Sequence, residues 1–400
     1  MKFIHFADAH LDSPFRGLSF LPSKEFNKIH NAANQSLEKI VDLAVEKQVD
    51  LVLIAGDTFD SSKASPSSQL FFAKEIKKLT DARIQVVMIF GNHDHMNEGD
   101  LLIEKSPYFK LLGTNENIEK ASFETKAGFK YDVVGFSYLN NHIEEDMIKN
   151  FPIKNSNFTF GLMHAQEKSS SGKNVYAPYT NQEIKNLNYD YFALGHIHKR
   201  QIISEHPLVV YPGNIQGRHI NELGEKGCYL GEVDEKNKNV KISFLKTAPI
   251  TWQEAKIEIK QEVTKNELQN LILETLYPAE TTYYSLKVIG AQNLTDEEME
   301  LLNDSSFWLS ISLQLAYGSQ LVDVRFESND RLQLNSNDDQ AFKDAKESIF
   351  EEEFLQIASD WAKKDILSSR LVNSPSFKKH VKELAEVKLA SRLKGLRDDT

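Results

Sequence analysis

Carboxylates, imidazoles and one amide gather in five short segments: Asp8-Ala9-His10, Gly56-Asp57, Gly91-Asn92-His93-Asp94, His164 and Gly195-His196-Ile197-His198. These side chains suit divalent cations of borderline hardness such as Mn, Fe or Zn. Asp8/His10 and His196/His198 are each spaced by two, which in extended backbone turns both side chains to one face. Glycines before Asp57, Asn92 and His196 allow tight turns that bring the backbone close to a phosphate. Asp8, His10, Asp57, Asn92, His164, His196 and His198 make seven candidate ligands, too many for one ion unless two ions share a bridging carboxylate. Two ions about 3.5–4 Å apart suit in-line attack on phosphorus, because they lower the pKa of a shared water and neutralise phosphoryl oxygens. Six of the twelve histidines, His10, His93, His95, His164, His196 and His198, fall in or beside these segments, which argues against ordinary turn chemistry.

Each segment follows a short apolar run that reads as a strand: residues 3–7, 51–55, 85–90, 159–163 and 191–194, with 131–135 and 208–211 as further candidates. Runs apolar on both faces belong in the middle of a layered fold. Helical patterns lie at 24–47 and 67–80, the second opened by Pro66 and Ser67, and 227–233 with 240–246 reads as a hairpin. The fold class is therefore α/β with a mixed sheet, and ligands sit beyond the carboxyl ends of its strands. After a boundary at Ala248-Pro249, residues 254–259, 265–276, 283–289 and 296–303 read as strand, helix, strand, helix. A helix over 340–367 would carry Phe350, Phe354, Ile357 and Trp361 on one face, and another spans 375–396. The expected domains are a phosphoesterase domain at 1–249, a small α/β module at 250–335 and a helical C-terminal region at 336–400.

Forty-seven basic against 58 acidic residues leave a net charge of −11, so the chain is no broadly basic nucleic-acid coat. The single cysteine, Cys228, excludes an internal disulfide framework and suggests a reducing compartment. No apolar run is long enough to span a bilayer, and the apolar start is cut short by Asp8, so a cytoplasmic location without membrane contact is expected.

The five segments, in this order, resemble the motifs of the calcineurin-like metallophosphoesterases. More narrowly, residues 6–15, FADAHLDSPF, and 211–219, YPGNIQGRH, look like the DNA repair exonuclease branch of that family. The resemblance is strong over 1–235 and rests on architecture beyond 250. It implies a layered metallophosphoesterase fold, mixed sheets flanked by helices, with a small C-terminal α/β module and a helical tail. It also implies a two-metal phosphodiesterase working as a DNA nuclease in repair, with Mn²⁺ as the leading ion and Fe or Zn as alternatives. Asp8, His10 and His198 would hold one metal, Asn92, His164 and His196 the other, and Asp57 would bridge them. His93 would meet the scissile phosphate or protonate the leaving oxygen, and Asp94 would orient His93 by a hydrogen bond. The implied partners are DNA and an SMC-like coiled-coil ATPase subunit, and the resemblance also allows a homodimer.

One position departs from the pattern. Many members of the nuclease branch continue the second motif as Gly-Asp-x-Phe-His, whereas this chain has Gly56-Asp57-Thr58-Phe59-Asp60. A carboxylate at Asp60 is expected to repel phosphate and to weaken double-strand exonuclease action. His95, next to Asp94, could partly take the missing histidine's place, and His219 could face the site from the turn at Pro212-Gly213. Arg16, Lys63, Arg200 and Arg218 lie near the motifs and could contact phosphate, so Arg16, Asp60, His95 and His219 are the candidate substrate contacts. Two other readings stay open: a small-molecule phosphodiesterase or phosphatase, and a scaffolding subunit of an ATPase complex. The long C-terminal half weighs against the first, and the full ligand set with His93 against the second. Between 375 and 397, seven basic residues stand against Glu383 and Glu386, a net +5 on an amphipathic stretch that could hold the ATPase.

Overall fold

Alternate residues of the central strands point into two different cores, which is why these runs are apolar throughout. In β1 (Lys2–Phe6), Phe3 faces one core while Ile4 and Phe6 face another; in β2 (Leu51–Ala55), Leu51, Leu53 and Ala55 part in the same way from Val52 and Ile54. A computed structural model describes residues 1–15, 17–327, 354–364, 366–375, 377–379, 381–383 and 385 of the chain. By its internal contacts the chain divides into two units, Met1–Trp252 and Gln253–Thr400.

The first unit holds two six-stranded sheets. β1 and β2 share the first with β3 (Gln85–Ile89) and β4 (Phe109–Leu111), all parallel. The second comprises β5 (Glu119–Glu124), β6 (Lys130–Gly135), β7 (Phe158–His164), β8 (Tyr191–Gly195), β9 (Gln201–Glu205) and β10 (Leu208–Tyr211), in the order β5-β6-β7-β8-β10-β9. β11 (Gly227–Val233) and β12 (Val240–Lys246) then pair antiparallel beside β1 and complete the first sheet. The inner faces meet in one core, where the Phe3 ring lies 5.0 Å from Phe160 and 4.9 Å from Tyr191. On its outer face the first sheet is covered by helices Ala32–Glu46 and Pro66–Asp81, through Leu37, Ile40, Phe72 and Ile76. The second sheet's outer face packs against Ile184 of a short helix, Asn181–Leu187, which opens on a Thr180–Glu183 capping box.

In each sheet the strands that precede the polar segments run parallel, so their carboxyl ends lie at one end of it: β1, β2 and β3 in the first, β7 and β8 in the second. The helix expected over 24–47 is two helices, Ser23–His30 and Ala32–Glu46. They part at Asn31, whose side-chain amide donates to Asn27 O (2.9 Å) and competes with the helical backbone. Strands β4, β5 and β9 were not expected. All three are sheet edges, without the continuous apolar run of a strand covered on both faces.

The second unit has its own core around the three-stranded sheet of β13 (Thr251–Glu258), β14 (Thr282–Ile289) and β15 (Gln320–Glu327). Helices Lys265–Thr275 and Asp296–Asn303 carry Leu268, Ile272, Met299 and Leu302 into it, each helix opened by a threonine capping box. Helix Ser305–Ser312 and β15 extend the expected strand-helix-strand-helix series. Of the stretch expected as a helix over 340–367, residues 340–353 and 365 lie outside the described residues, while Phe354–Ala362 is helical and Ile366–Val372 forms a further helix. Ile357 and Trp361 are exposed on the former. Of 375–396, residues 375, 377–379, 381–383 and 385 are helical and the others lie outside. Among the described residues no helix is long and apolar enough to cross a membrane.

Candidate metal centre

The loops after β1 and β2 run side by side, with Asp8 N–H donating to Gly56 O (3.1 Å), His10 N–H to Asp57 O (3.0 Å) and Leu11 N–H to Thr58 O (2.9 Å). This lacing holds Asp8 (φ 52°), His10 (φ 43°) and Asp57 (φ 50°) in the left-handed region, and His196 on the opposite sheet has φ 99°. Such backbone costs on the order of 1–3 kcal/mol per residue and persists where the surroundings over-determine it. The sheet ends also press together. A Cβ on Gly195 would lie 1.9 Å from Ala55 O and one on Gly91 would lie 2.3 Å from Asp57 Oδ1, so only glycine lets these strand ends approach.

All seven candidate ligands converge in this space. Ligand atoms of Asp8, His10 and His198 lie within 4.8 Å of one another, as do those of Asp8, Asp57 and His164. His10 Nε2 is 3.1 Å from His198 Nε2. Asn92 Oδ1 is 3.0 Å from His164 Nε2 and 3.2 Å from His196 Nδ1. Asp57 lies between the two groups, its Oδ2 3.6 Å from His10 Nε2 and 3.3 Å from His164 Nε2. Its Oδ1 accepts the His93 backbone N–H at 2.8 Å, and Asp8 accepts the N–H of His196 at 3.1 Å.

Hydrogen-bond chemistry decides what this arrangement can hold. His164 Nδ1 donates to the Ala55 carbonyl (2.9 Å), which can only accept, so in the neutral ring Nε2 offers a lone pair toward the Asp57 and Asn92 oxygens. His198 Nδ1 donates to Glu222 Oε1 (2.6 Å), and Asp60 Oδ1 lies 3.2 Å from His10 Nδ1, at hydrogen-bond distance though out of line. His198 Nε2 therefore turns a lone pair toward His10 Nε2, 3.1 Å away. The gathered nitrogen and oxygen atoms form a thiolate-free donor set of the kind that fits divalent ions.

Titration also gathers positive charge here, as a proton on His164. Burial works against charge on His164, but Asp57 outweighs it and raises the imidazole to about 9. Burial likewise opposes the Asp57 anion, and His164 and His10 overcome it and hold that carboxyl well below its ordinary range. Burial, aided by the charge on His164, lowers His196 to about 3. Positive charge is thus favoured where Asp57, Asn92 and His164 meet.

His93 is exposed beside the cluster, its ring 5.0 Å from His10, and its Nδ1 faces Asp60 O at 3.2 Å. Asp94 does not orient it. The Asp94 carboxylate is buried and accepts the N–H of Thr58 (2.7 Å) and of Gly91 (2.6 Å), so it staples two ligand-bearing loops together. Burial and the neighbouring Asp57 raise it to about 7.

The expected substrate contacts fare differently. Asp60 is not a free repelling charge, because Arg218 Nη1 donates to its Oδ1 at 2.6 Å; that pair also engages Arg218. His95 Nδ1 bonds Asn92 O (2.9 Å) and so braces the loop. His219 is half exposed with Nε2 3.3 Å from Glu222 Oε1, beside the cluster rather than in it. Arg16 lies outside the described residues, Lys63 is exposed, and Arg200 stacks over the Phe244 ring at 3.6 Å. A groove lined by Lys199, Arg200, Glu222 and Lys226 borders His196 and His198. Glu222, buried against His198, was not expected, and nothing in its local sequence marks it.

Residues 1–200 match the family model described as calcineurin-like phosphoesterase. The metallophosphoesterase YhaO of Bacillus subtilis is 36% identical over 278 residues, covering 69% of this chain and 67% of that protein. The SbcD component of the nuclease SbcCD of Staphylococcus epidermidis is 22% identical over 388 residues, 90% of this chain and 96% of its own. The DNA double-strand break repair protein Mre11 of Methanocaldococcus jannaschii is 26% identical over 287 residues, 68% of this chain and 73% of its own.

Proposed function

We propose, because the chain belongs to the calcineurin-like phosphoesterase family of metal-dependent hydrolases, that it is a two-metal phosphodiesterase acting on DNA as a nuclease. Asp8, His10 and His198 would hold one ion, Asn92, His164 and His196 the other, and Asp57 would serve both. The observation that carries this is the gathering of ligand atoms on both sides of Asp57, with 3.1 Å between the His10 and His198 Nε2 atoms and 3.0 Å between Asn92 Oδ1 and His164 Nε2. A pair of divalent ions bound there would supply Lewis acidity for a phosphoryl group and would lower the pKa of water toward neutrality.

The chain's own residues do the rest. The His93 N–H holds Asp57 Oδ1 and leaves Oδ2 for the shared position. His93 Nδ1 donates to the Asp60 carbonyl, so Nε2 is the ring atom free to meet the scissile group and, when protonated, to deliver a proton to the leaving oxygen. DNA as substrate is supported by the relatives SbcD and Mre11, the first of which aligns over 90% of the chain. Manganese is the ion best matched to a thiolate-free donor set with fast ligand exchange.

SbcD is one subunit of a larger nuclease, and we infer that this chain also serves a coiled-coil ATPase of the SMC type, through its basic C-terminal stretch. Deleting 375–400 should then abolish binding of that ATPase and spare hydrolysis of a small diester. Nuclease action is tested by incubating metal-stripped protein with Mn²⁺ or with EDTA against end-labelled single- and double-stranded DNA, with bis-para-nitrophenyl phosphate in parallel. Cleavage of both with Mn²⁺ and neither with EDTA is expected. Cleavage of the small diester alone would overturn DNA as substrate.

A further inference from the structure

Arg218 stands between two carboxylates, each reaching a histidine of the metal centre. Its Nη1 donates to Asp60 Oδ1 at 2.6 Å, and Asp60 Oδ1 is 3.2 Å from His10 Nδ1. Its backbone N–H donates to Glu222 Oε2 at 2.7 Å, its Nε lies 3.8 Å from Glu222 Oε1, and that same oxygen accepts His198 Nδ1–H at 2.6 Å. Asn214 Nδ2 gives Glu222 a further bond at 2.8 Å. The two arms close on each other where the Nε2 atoms of His10 and His198 are 3.1 Å apart. The ring joins four distant parts of the chain, around positions 10, 60, 198 and 218–222.

A carboxylate accepting from Nδ1–H fixes a histidine in the tautomer whose Nε2 is a lone pair and makes that nitrogen more basic. Two carboxylates so close to a phosphate-cleaving site would also repel the substrate, and a guanidinium between them offsets about half of that charge. Asp60 then has a constructive use in place of the histidine common in the nuclease branch.

We propose that Arg218 is a positioning residue: it clamps Asp60 and Glu222, which hold His10 and His198 with both Nε2 atoms turned to one cation. This rests on the reading of His10 and His198 as ligands, and two readouts separate the two claims. The first uses full-length metal-free protein labelled with ¹⁵N-histidine. His10 and His198, assigned by substitution, should show the Nδ1–H tautomer, and Arg218→Ala or Glu222→Ala should mix the tautomers. The second is calorimetric titration with Mn²⁺. Glu222→Ala and Arg218→Ala should weaken one of two binding steps by about 10–100-fold. Glu222→Gln, whose amide oxygen still accepts from Nδ1–H, and Arg218→Lys, which keeps the charge, should weaken it less. These conservative variants decide the matter if the alanine forms fail to fold. Unchanged tautomers and wild-type Mn²⁺ affinity in the folded variants would overturn the clamp. Absence of Mn²⁺ binding by the wild type would instead overturn the metal centre, and the tautomer spectra would still judge the clamp.

Discussion

The Nε2 atoms of His10 and His198 lie 3.1 Å apart although 188 positions separate them in the chain. His198 commits Nδ1 to Glu222 and turns an Nε2 lone pair toward His10, whose Nδ1 lies 3.2 Å from Asp60 Oδ1. A cation held between them would bind the folded state alone and so stabilise it by mass action. At a free ion concentration of about 100 times the dissociation constant, the gain is about 2.7 kcal/mol. Thermal unfolding of chelator-stripped protein should therefore move to higher temperature on adding Mn²⁺. An unmoved transition would speak against ion binding at this point.

Asp57 faces both groups of acceptors, at 3.6 Å from His10 Nε2 and 3.3 Å from His164 Nε2. Asp57→Ala should therefore abolish hydrolysis more completely than loss of any other single ligand and lower bound metal at both positions. Elemental analysis beside kinetics reads this. Loss of only one equivalent would make Asp57 a ligand to a single ion.

His93 is exposed and only its backbone N–H touches Asp57. His93→Ala should keep metal content and stability near wild type while kcat falls by about 10²–10⁴-fold, the usual cost of losing a general acid. Empty metal positions in this variant would show that the ring supports the centre directly.

Asp94 works in the opposite way. Its carboxylate satisfies two backbone N–H groups, those of Thr58 and Gly91, in a buried place. Asp94→Ala would leave both donors unpaired, and each such group costs about 1–3 kcal/mol. Urea unfolding should show a loss of that order, which His93→Ala should not. A fully stable Asp94→Ala protein would return Asp94 to a purely chemical part.

Metal preference gives a further check. With nitrogen and oxygen donors alone, Mn²⁺ should activate metal-stripped protein best, while Zn²⁺ binds more tightly. Full activity with Mg²⁺ alone would contradict that assignment.

The family and the layered fold were legible in the sequence because the ligand-bearing segments sit at the ends of strands covered on both faces. Runs such as 51–55 are apolar at every position for that reason, and the residue that follows them is polar for another. The edge strands were not legible: Glu119–Glu124 is alternately half-buried and exposed and has no continuous apolar run. The part played by Asp94 differs from the one the resemblance implies, and the pairing of Asp60 was not foreseen, because motifs speak for residues close together in the chain. Asp94 is one residue from His93 yet spends its oxygens on backbone N–H groups, and Asp60 is paired with Arg218, 158 positions away. Glu222 was missed for the same reason, since only the fold brings it to His198.

The two-ion centre is tested most directly by anomalous diffraction at the manganese edge from crystals soaked in Mn²⁺. Two peaks are expected, one among Asp8, His10, His198 and Asp57 and the other among Asp57, Asn92, His164 and His196. A single peak, or peaks away from Asp57, would contradict the shared centre.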